Sequence, residues 1–202
     1  MARRLNMITI VSGIPRSGTS LMMQMLSAGG MPVLSDGQRS ADANNPRGYY
    51  ELEPVKSLAQ DSQVISQGEG KVVKVVSSLL EFLPDGHEYR IIFMRRPLEQ
   101  VVASQDRMLE RLGKVAPPTP REAVIRAFEK HLSKLETWLC KQTPISVLRV
   151  DYESVLLDPY REATRIATFL GWSLDVEAMV RKVDVSLHRE RNASLGGVPS
   201  QL

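Results

Sequence analysis

The 202-residue sequence predicts an α/β domain of three layers, a central parallel sheet flanked by helices. Three observations carry that expectation. Short runs rich in Val and Ile recur at 7–11, 71–76, 90–94 and 145–150, the length and composition of buried strands. Helix-length segments with one apolar face alternate with them. A glycine-bracketed loop, Ser12-Gly13-Ile14-Pro15-Arg16-Ser17-Gly18-Thr19-Ser20, joins the first strand directly to the first helix.

Taken in order, the strand 7–11 opens the fold, and a helix over 18–28 follows, stopped by Gly29 and Gly30. Residues 31–34 add a short strand. Residues 35–50, rich in Ser, Asp, Asn, Gly and Pro, read as a surface loop of the kind that carries substrate contacts. A helix is expected over 53–66, then the strand 71–76, a helical piece near 78–83 and the strand 90–94. Pro97 suits the first residue of a helix reaching Leu112, where its missing N–H costs nothing. Three prolines between Lys114 and Pro120 make a connector. Thr119, with Glu122 three residues on, signals the cap of a long helix to about Lys141. Its apolar positions Val124, Ala127, Phe128, Leu132, Leu135 and Leu139 are spaced to lie on a sheet. The β-branched run 145–150 reads as a buried strand. Asp158-Pro159 opens a helix that Gly171 closes, a shorter helix covers 174–182, and the polar stretch 183–202 reads as a flexible tail.

Composition narrows the class. No repeat or composition break divides the chain, so a single domain over 1–202 is expected. No apolar run approaches the ~20 residues of a membrane span, and the basic start leads into a strand rather than a secretory apolar region. A soluble cytoplasmic protein is the expectation. The single cysteine, Cys140, has no disulfide or metal-ligand partner in sequence and, beside Leu135, Trp138 and Leu139, reads as a buried helix residue. The net charge of +3 is mild. Its basic clusters, Arg3-Arg4, Arg95-Arg96 and Arg189 with Arg191, lack interleaved aromatics, which favours a small polyanion over nucleic acid.

The loop over 12–20 explains that preference. Gly13 and Gly18 let the backbone curl so that successive N–H groups and the helix N-terminus point at one anion, while Ser17, Thr19 and Ser20 add hydroxyls. The spacing is that of a nucleotide triphosphatase loop, which makes the domain P-loop-like, but Thr19 stands where the lysine belongs. The cation is instead Arg16, inside the loop. Ordinary ATP hydrolysis is therefore disfavoured, and so is magnesium chemistry, because no acid follows the strand 90–94. No metal-ligand spacing is visible. A second strand-to-helix junction places Arg96 just before a helix N-terminus, where charge and dipole both favour an anion, with Ser104 eight positions on.

With both junctions in view, the chain resembles the sulfotransferases that use 3′-phosphoadenosine 5′-phosphosulfate (PAPS), in particular small bacterial members. Pro15-Arg16-Ser17-Gly18-Thr19-Ser20 is similar to that family's 5′-phosphosulfate loop, and Arg96 with Ser104 to its 3′-phosphate pair. Asn45-Pro46-Arg47-Gly48-Tyr49-Tyr50-Glu51 and the stretch from Asp151-Tyr152-Glu153 to Asp158-Pro159 also resemble family segments. The resemblance implies PAPS as cofactor and a small-molecule or glycan hydroxyl or amine as acceptor. By the same resemblance Gly13, Pro15, Arg16, Ser17, Gly18, Thr19, Ser20, Arg96 and Ser104 hold the cofactor, and Arg16 and Lys74 stabilise the leaving group. Two departures stand out. The family's histidine base falls on Val76, and its C-terminal Arg-Lys-Gly loop is missing, with Arg189 and Arg191 beside Gly196-Gly197 in its place.

The acceptor still needs a base. Glu51 is the leading candidate and Glu53 the reserve. Its competing role is to cap a helix beginning near Pro54. Tyr49 and Tyr50 line the acceptor pocket or pack beneath the loop, and Asp151 and Glu153 read as structural. Two alternatives stay open: a P-loop kinase of a small metabolite, and a non-catalytic phosphonucleotide-binding module, which Val76 allows. A homodimer through the helix 120–141 is compatible with the sequence, though no feature demands it.

Overall fold

A computed structural model describes residues 7–37, 50–114 and 118–184. Five strands form one sheet in the order β2 (Val33–Leu34), β3 (Val72–Lys74), β1 (Met7–Ser12), β4 (Glu88–Arg95), β5 (Ile145–Asp151), each paired in parallel with its neighbours. The register sets Val11 opposite Lys74, Ser12 opposite Phe93 and Arg95 opposite Asp151. The carboxyl ends of β1, β3, β4 and β5 thus reach one edge together. The chain leaves β1 toward one side of the sheet and returns to β4 on the other, a reversal that opens a crevice at this edge.

Alternation along the strands divides the core. Val11, Val72, Ile92, Met94 and Val150 face the helices α1 (Thr19–Ala28), α4 (Tyr152–Leu157), α5 (Pro159–Leu170) and α6 (Val176–Val180). Ile8, Ile10, Val73, Ile91 and Phe93 face the opposite layer, which contains Leu135 and Leu139 of α3 (Arg121–Leu139). The helix α2 (Leu98–Arg111) buries Val101 and Val102. In α1 the side chains of Met22, Met23, Met25 and Leu26 are wholly buried. At about 1.5–3 kcal/mol each, they fix the helix firmly to the sheet. The loop between β1 and α1 is therefore held at both ends by core.

The expected three-layer α/β architecture is the one observed, with differences that have local causes. The helix expected over 53–66 is two 3-10 turns, Glu53–Ser57 and Gln63–Gly68. Asp61 Oδ1 accepts from Gln63 N–H at 2.9 Å, an Asx-type turn that interrupts the helix. The piece near 78–83 is likewise a 3-10 turn, Ser77–Phe82. Thr119 does not cap α3: Pro120 occupies that position without a side-chain cap, and Arg121 donates to Asp106 Oδ2 at 2.9 Å. Ala127 is exposed rather than packed on the sheet. Strand β5 is an edge strand in which Val150 alone is buried, not the buried strand its composition suggested. Cys140 follows α3 and is exposed, because the apolar face ends at Leu139. Helix α4 was not anticipated. The cap by Asp158, whose Oδ1 accepts from Arg161 N–H at 3.1 Å, and the left-handed Gly171 at φ 62° are as expected. Among the described residues no helix is long and apolar enough to cross a membrane.

Candidate functional site

The β1–α1 loop is built by close approaches. A Cβ on Gly13 would stand 2.4 Å from Ser17 Oγ and 2.8 Å from the Met94 carbonyl oxygen. On Gly18, at φ 102°, it would stand 2.5 Å from Tyr152 Cδ2. Both positions require glycine for space as well as for backbone. Ser17 N–H donates to Ile14 O at 3.2 Å, closing the turn, and Ser77 N–H donates to Gly13 O at 3.1 Å, tying the loop to the exit of β3.

Arg16 sits at the tip with φ 72°, in the left-handed region that residues other than glycine rarely occupy. Such backbone costs about 1–3 kcal/mol and collects at ligand sites. Here it turns the guanidinium inward, where Nε donates to Ser104 Oγ of α2 at 3.1 Å. Arg96 comes to the same place from the end of β4, and its Nη1 donates to the Arg16 carbonyl at 3.2 Å. Its Nε donates to Gln100 Oε1 at 3.1 Å, and Gln100 Nε2 donates in turn to Glu153 Oε1 at 2.7 Å. The Arg96 guanidinium also lies 4.6 Å over the Tyr152 ring, so one arginine is oriented from three sides.

A third cation arrives from β3. Lys74 Nζ donates to Ser20 Oγ at 3.3 Å and lies 3.5 Å from Glu51 Oε1. Glu51 is not the cap of the segment that follows it. Asp36 fills that place, accepting from Glu53 N–H at 2.6 Å while its own N–H donates to Glu51 O at 3.2 Å. Glu53, the reserve base, is exposed and pairs with Lys56 at 2.6 Å. Tyr50 packs against the α1 side of the core, which is the packing role among its two readings.

The structure thus gathers Gly13, Arg16, Ser17, Gly18, Ser20, Lys74, Glu51, Arg96 and Ser104 around one loop, with Thr19 opening α1 and Pro15 exposed at the tip. Arg189, Arg191 and Tyr49 lie outside the described residues. Beside Arg96 a cavity of about 360 Å³ opens between the ends of β4 and β5, lined by Arg95, Tyr152, Glu153 and Leu157. Asp151 pairs with Arg95 at 3.5 Å on its exposed side, a structural role.

Three contributors escaped the sequence reading. Gln100 stands one helical turn after Arg96, a spacing that could have been noticed. Tyr152 as a platform and Asp36 as a bracket are tertiary contacts without a local signal. His131 is a further case: α3 brings its Nε2 within 2.9 Å of Ser77 Oγ, next to the half-exposed Val76.

The site has the chemistry of an anion receptor. Three cations and several hydroxyls converge, and Ser17 Oγ is fully buried with no hydrogen-bond partner among the described residues. A buried hydroxyl left unpaired costs about 1–3 kcal/mol. Among the described residues no group of three or more His, Cys, Asp or Glu is placed to hold a metal ion.

The family described as Sulfotransferase domain matches residues 8–190. Among solved structures, the chain is similar to the sulfotransferase domain of the Synechococcus PCC 7002 olefin synthase, with 19% identity and a TM-score of 0.54, covering 89% of this chain and 78% of that one. It is also similar to the mouse sulfotransferase SULT7A1 complexed with PAP, with 16% identity, a TM-score of 0.57, and 95% and 68% of the two chains covered. For the sulfotransferase STF9 from Mycobacterium avium the values are 14%, 0.57, 92% and 69%. Likeness at these identities speaks to the fold. No protein of curated function matches the chain.

Proposed function

Because the chain belongs to the sulfotransferase domain family, we propose that it transfers the sulfuryl group of PAPS to a hydroxyl or amine acceptor by in-line displacement. The observation that carries this reading is the convergence of Arg16, Lys74, Arg96 and Ser104 on a loop whose buried Ser17 hydroxyl is unpaired. The PAP named with the mouse relative supports the cofactor class. PAPS supplies an activated sulfuryl group whose transfer breaks the bond from sulfur to the bridging oxygen and leaves 3′-phosphoadenosine 5′-phosphate (PAP).

The chain's own residues do the rest. Arg96 and Ser104 hold the 3′-phosphate, with Gln100 and Tyr152 fixing the guanidinium plane for a two-pronged contact. The loop N–H groups and Ser17, Thr19 and Ser20 hold the 5′-side anion. Arg16 and Lys74 face the bridging oxygen and neutralise the charge that gathers there as the bond breaks. Glu51 takes the acceptor proton, since Val76 at the other candidate position has no basic atom. The acceptor enters over the segment that begins at Tyr50. A kinase is disfavoured by Thr19 after Gly18 and by Arg95 at the end of β4, where magnesium would need an acid.

The test is transfer from labelled PAPS to a panel of small hydroxyl and amine acceptors. Arg16→Ala is expected to lower kcat by about 100-fold or more while PAP affinity changes by less than about tenfold. A loss confined to affinity would remove Arg16 from the chemical step.

A further inference from the structure

Val76 and Ser77 carry the chain out of β3 at the edge where the crevice opens, and they present different surfaces. Val76 is 38% exposed and belongs to neither half of the core. Ser77 is buried and held twice: its N–H donates to Gly13 O at 3.1 Å, and its Oγ lies 2.9 Å from His131 Nε2. Because α3 leads into the start of β5, it runs from the carboxyl edge of the sheet toward the amino edge. His131 stands one helical turn before Leu135 and two before Leu139, the residues by which α3 rests on the sheet. Its half-buried imidazole therefore comes off the sheet-facing side of α3 near the carboxyl edge. The other ring nitrogen, Nδ1, has no hydrogen-bond partner among the described residues and is not buried.

A ring oriented through one nitrogen and open at the other can receive a ligand. The Ser77 hydroxyl can donate to Nε2 or accept from it, so Nδ1 can meet either a donor or an acceptor. Glu51 reaches the exit of β3 from the α1 face of the sheet, where Lys74 also meets Ser20, whereas His131 reaches it from the opposite face. We propose that His131 is a specificity residue of the acceptor site: Nδ1 receives a hydrogen-bonding group other than the reacting one, and Val76 takes the apolar body beside it. The acceptor class is then a compact alcohol, phenol or amine that carries a second polar group. This rests on the sulfotransferase reading and deepens it, leaving the acceptor proton to Glu51.

The experiment is transfer from labelled PAPS to two probes alike but for one hydroxyl, phenol and resorcinol, by full-chain wild type, His131→Ala and His131→Gln. The Gln amide reaches the place of Nε2 and keeps the Ser77 contact, but it puts no polar atom at the place of Nδ1. Wild type is expected to favour resorcinol in KM by about three- to tenfold, the contribution of one hydrogen bond. Both variants are expected to lose that preference, while kcat for phenol and the Kd for PAP stay within about twofold. A preference kept in His131→Gln but lost in His131→Ala would overturn the proposal, because His131 would then only hold Ser77. A preference absent from wild type, or kept in both variants, would overturn it too. Mass-spectrometric mapping of diethylpyrocarbonate modification needs no turnover: His131 is expected to react in the folded, PAP-bound protein. A ring that reacts only after unfolding would show Nδ1 closed to any acceptor and end the proposal. Wild type that does not bind PAP would instead bring down the sulfotransferase reading itself.

Discussion

Replacing Gly18 with alanine perturbs the site in two separable ways. The backbone there has φ 102°, and an L side chain in that region costs about 1–3 kcal/mol. The added Cβ would also lie 2.5 Å from Tyr152 Cδ2 and 3.1 Å from Cε2, against the roughly 3.5–4 Å of ordinary carbon contact, so the ring must shift by about 1 Å. That ring lies under Arg96 at 4.6 Å, a contact worth about 0.5–1 kcal/mol at a half-exposed site. Together these give a destabilisation of about 2–4 kcal/mol, or a fall in Tm of about 5–15 °C for a chain of this size. Thermal unfolding followed by circular dichroism reads the total. A double-mutant cycle with Tyr152→Ala separates the parts, because truncating the ring removes the clash but not the backbone cost. A favourable interaction energy of at least about 1 kcal/mol is expected between the two changes. Additive effects, or a Gly18→Ala protein within about 0.5 kcal/mol of wild type, would refute the close approach on which the loop geometry is argued.

Gln100→Ala takes away the acceptor that orients Arg96 Nε without touching the charge, and PAP binding measured by calorimetry should weaken by about three- to tenfold. The hydrogen bond from Arg149 holds the Glu136 carboxyl below its ordinary value of 4.5, so its ionised form stabilises the fold. That contribution is present above pH 4.5 and is lost as the pH falls through the depressed folded value. Because the Glu136 side chain is 42% exposed, the effect is small, and Glu136→Gln should flatten the acid limb of a Tm-against-pH curve while changing Tm little at neutral pH. Cys140, exposed after the last turn of α3, should react with a thiol reagent in the folded protein as fast as in the unfolded one; protection on folding would contradict its position.

The parts of the site that lie within one chain segment could be read from the sequence. Gly13 and Gly18 bracket a loop between an apolar run and a helix, which spacing exposed, whereas the Arg96 junction gained its weight only beside that loop, and Ser104 its role only from the family resemblance. What spacing could not show is how distant segments meet. Tyr152 packs against Gly18 from more than a hundred residues away and under Arg96 from more than fifty, and Asp36 brackets Glu51 from the start of the connection that Glu51 closes. Strand order is equally invisible to composition. The run 145–150 is as β-branched as an interior strand, yet it lies at the edge, where Arg149 pairs with Glu136 of α3. In the segment 53–66, Val55, Leu58 and Ile65 keep an apolar spacing compatible with a helix, but the Asp61 turn competes locally and wins. Cys140 shows the limit of periodicity at an element's end: one residue past Leu139, the chain has already turned outward.

On the proposed reading, the loop and Arg96 together form a receptor for a 3′-phosphorylated adenosine phosphate. Isothermal titration of wild type and Arg96→Ala with PAP, and separately with ATP and magnesium, tests it most directly. PAP is expected to bind wild type, ATP with magnesium not to compete, and Arg96→Ala to weaken PAP by about 30-fold or more through loss of a charge-assisted, two-pronged contact. Tight binding of ATP with magnesium together with no binding of PAP would contradict it.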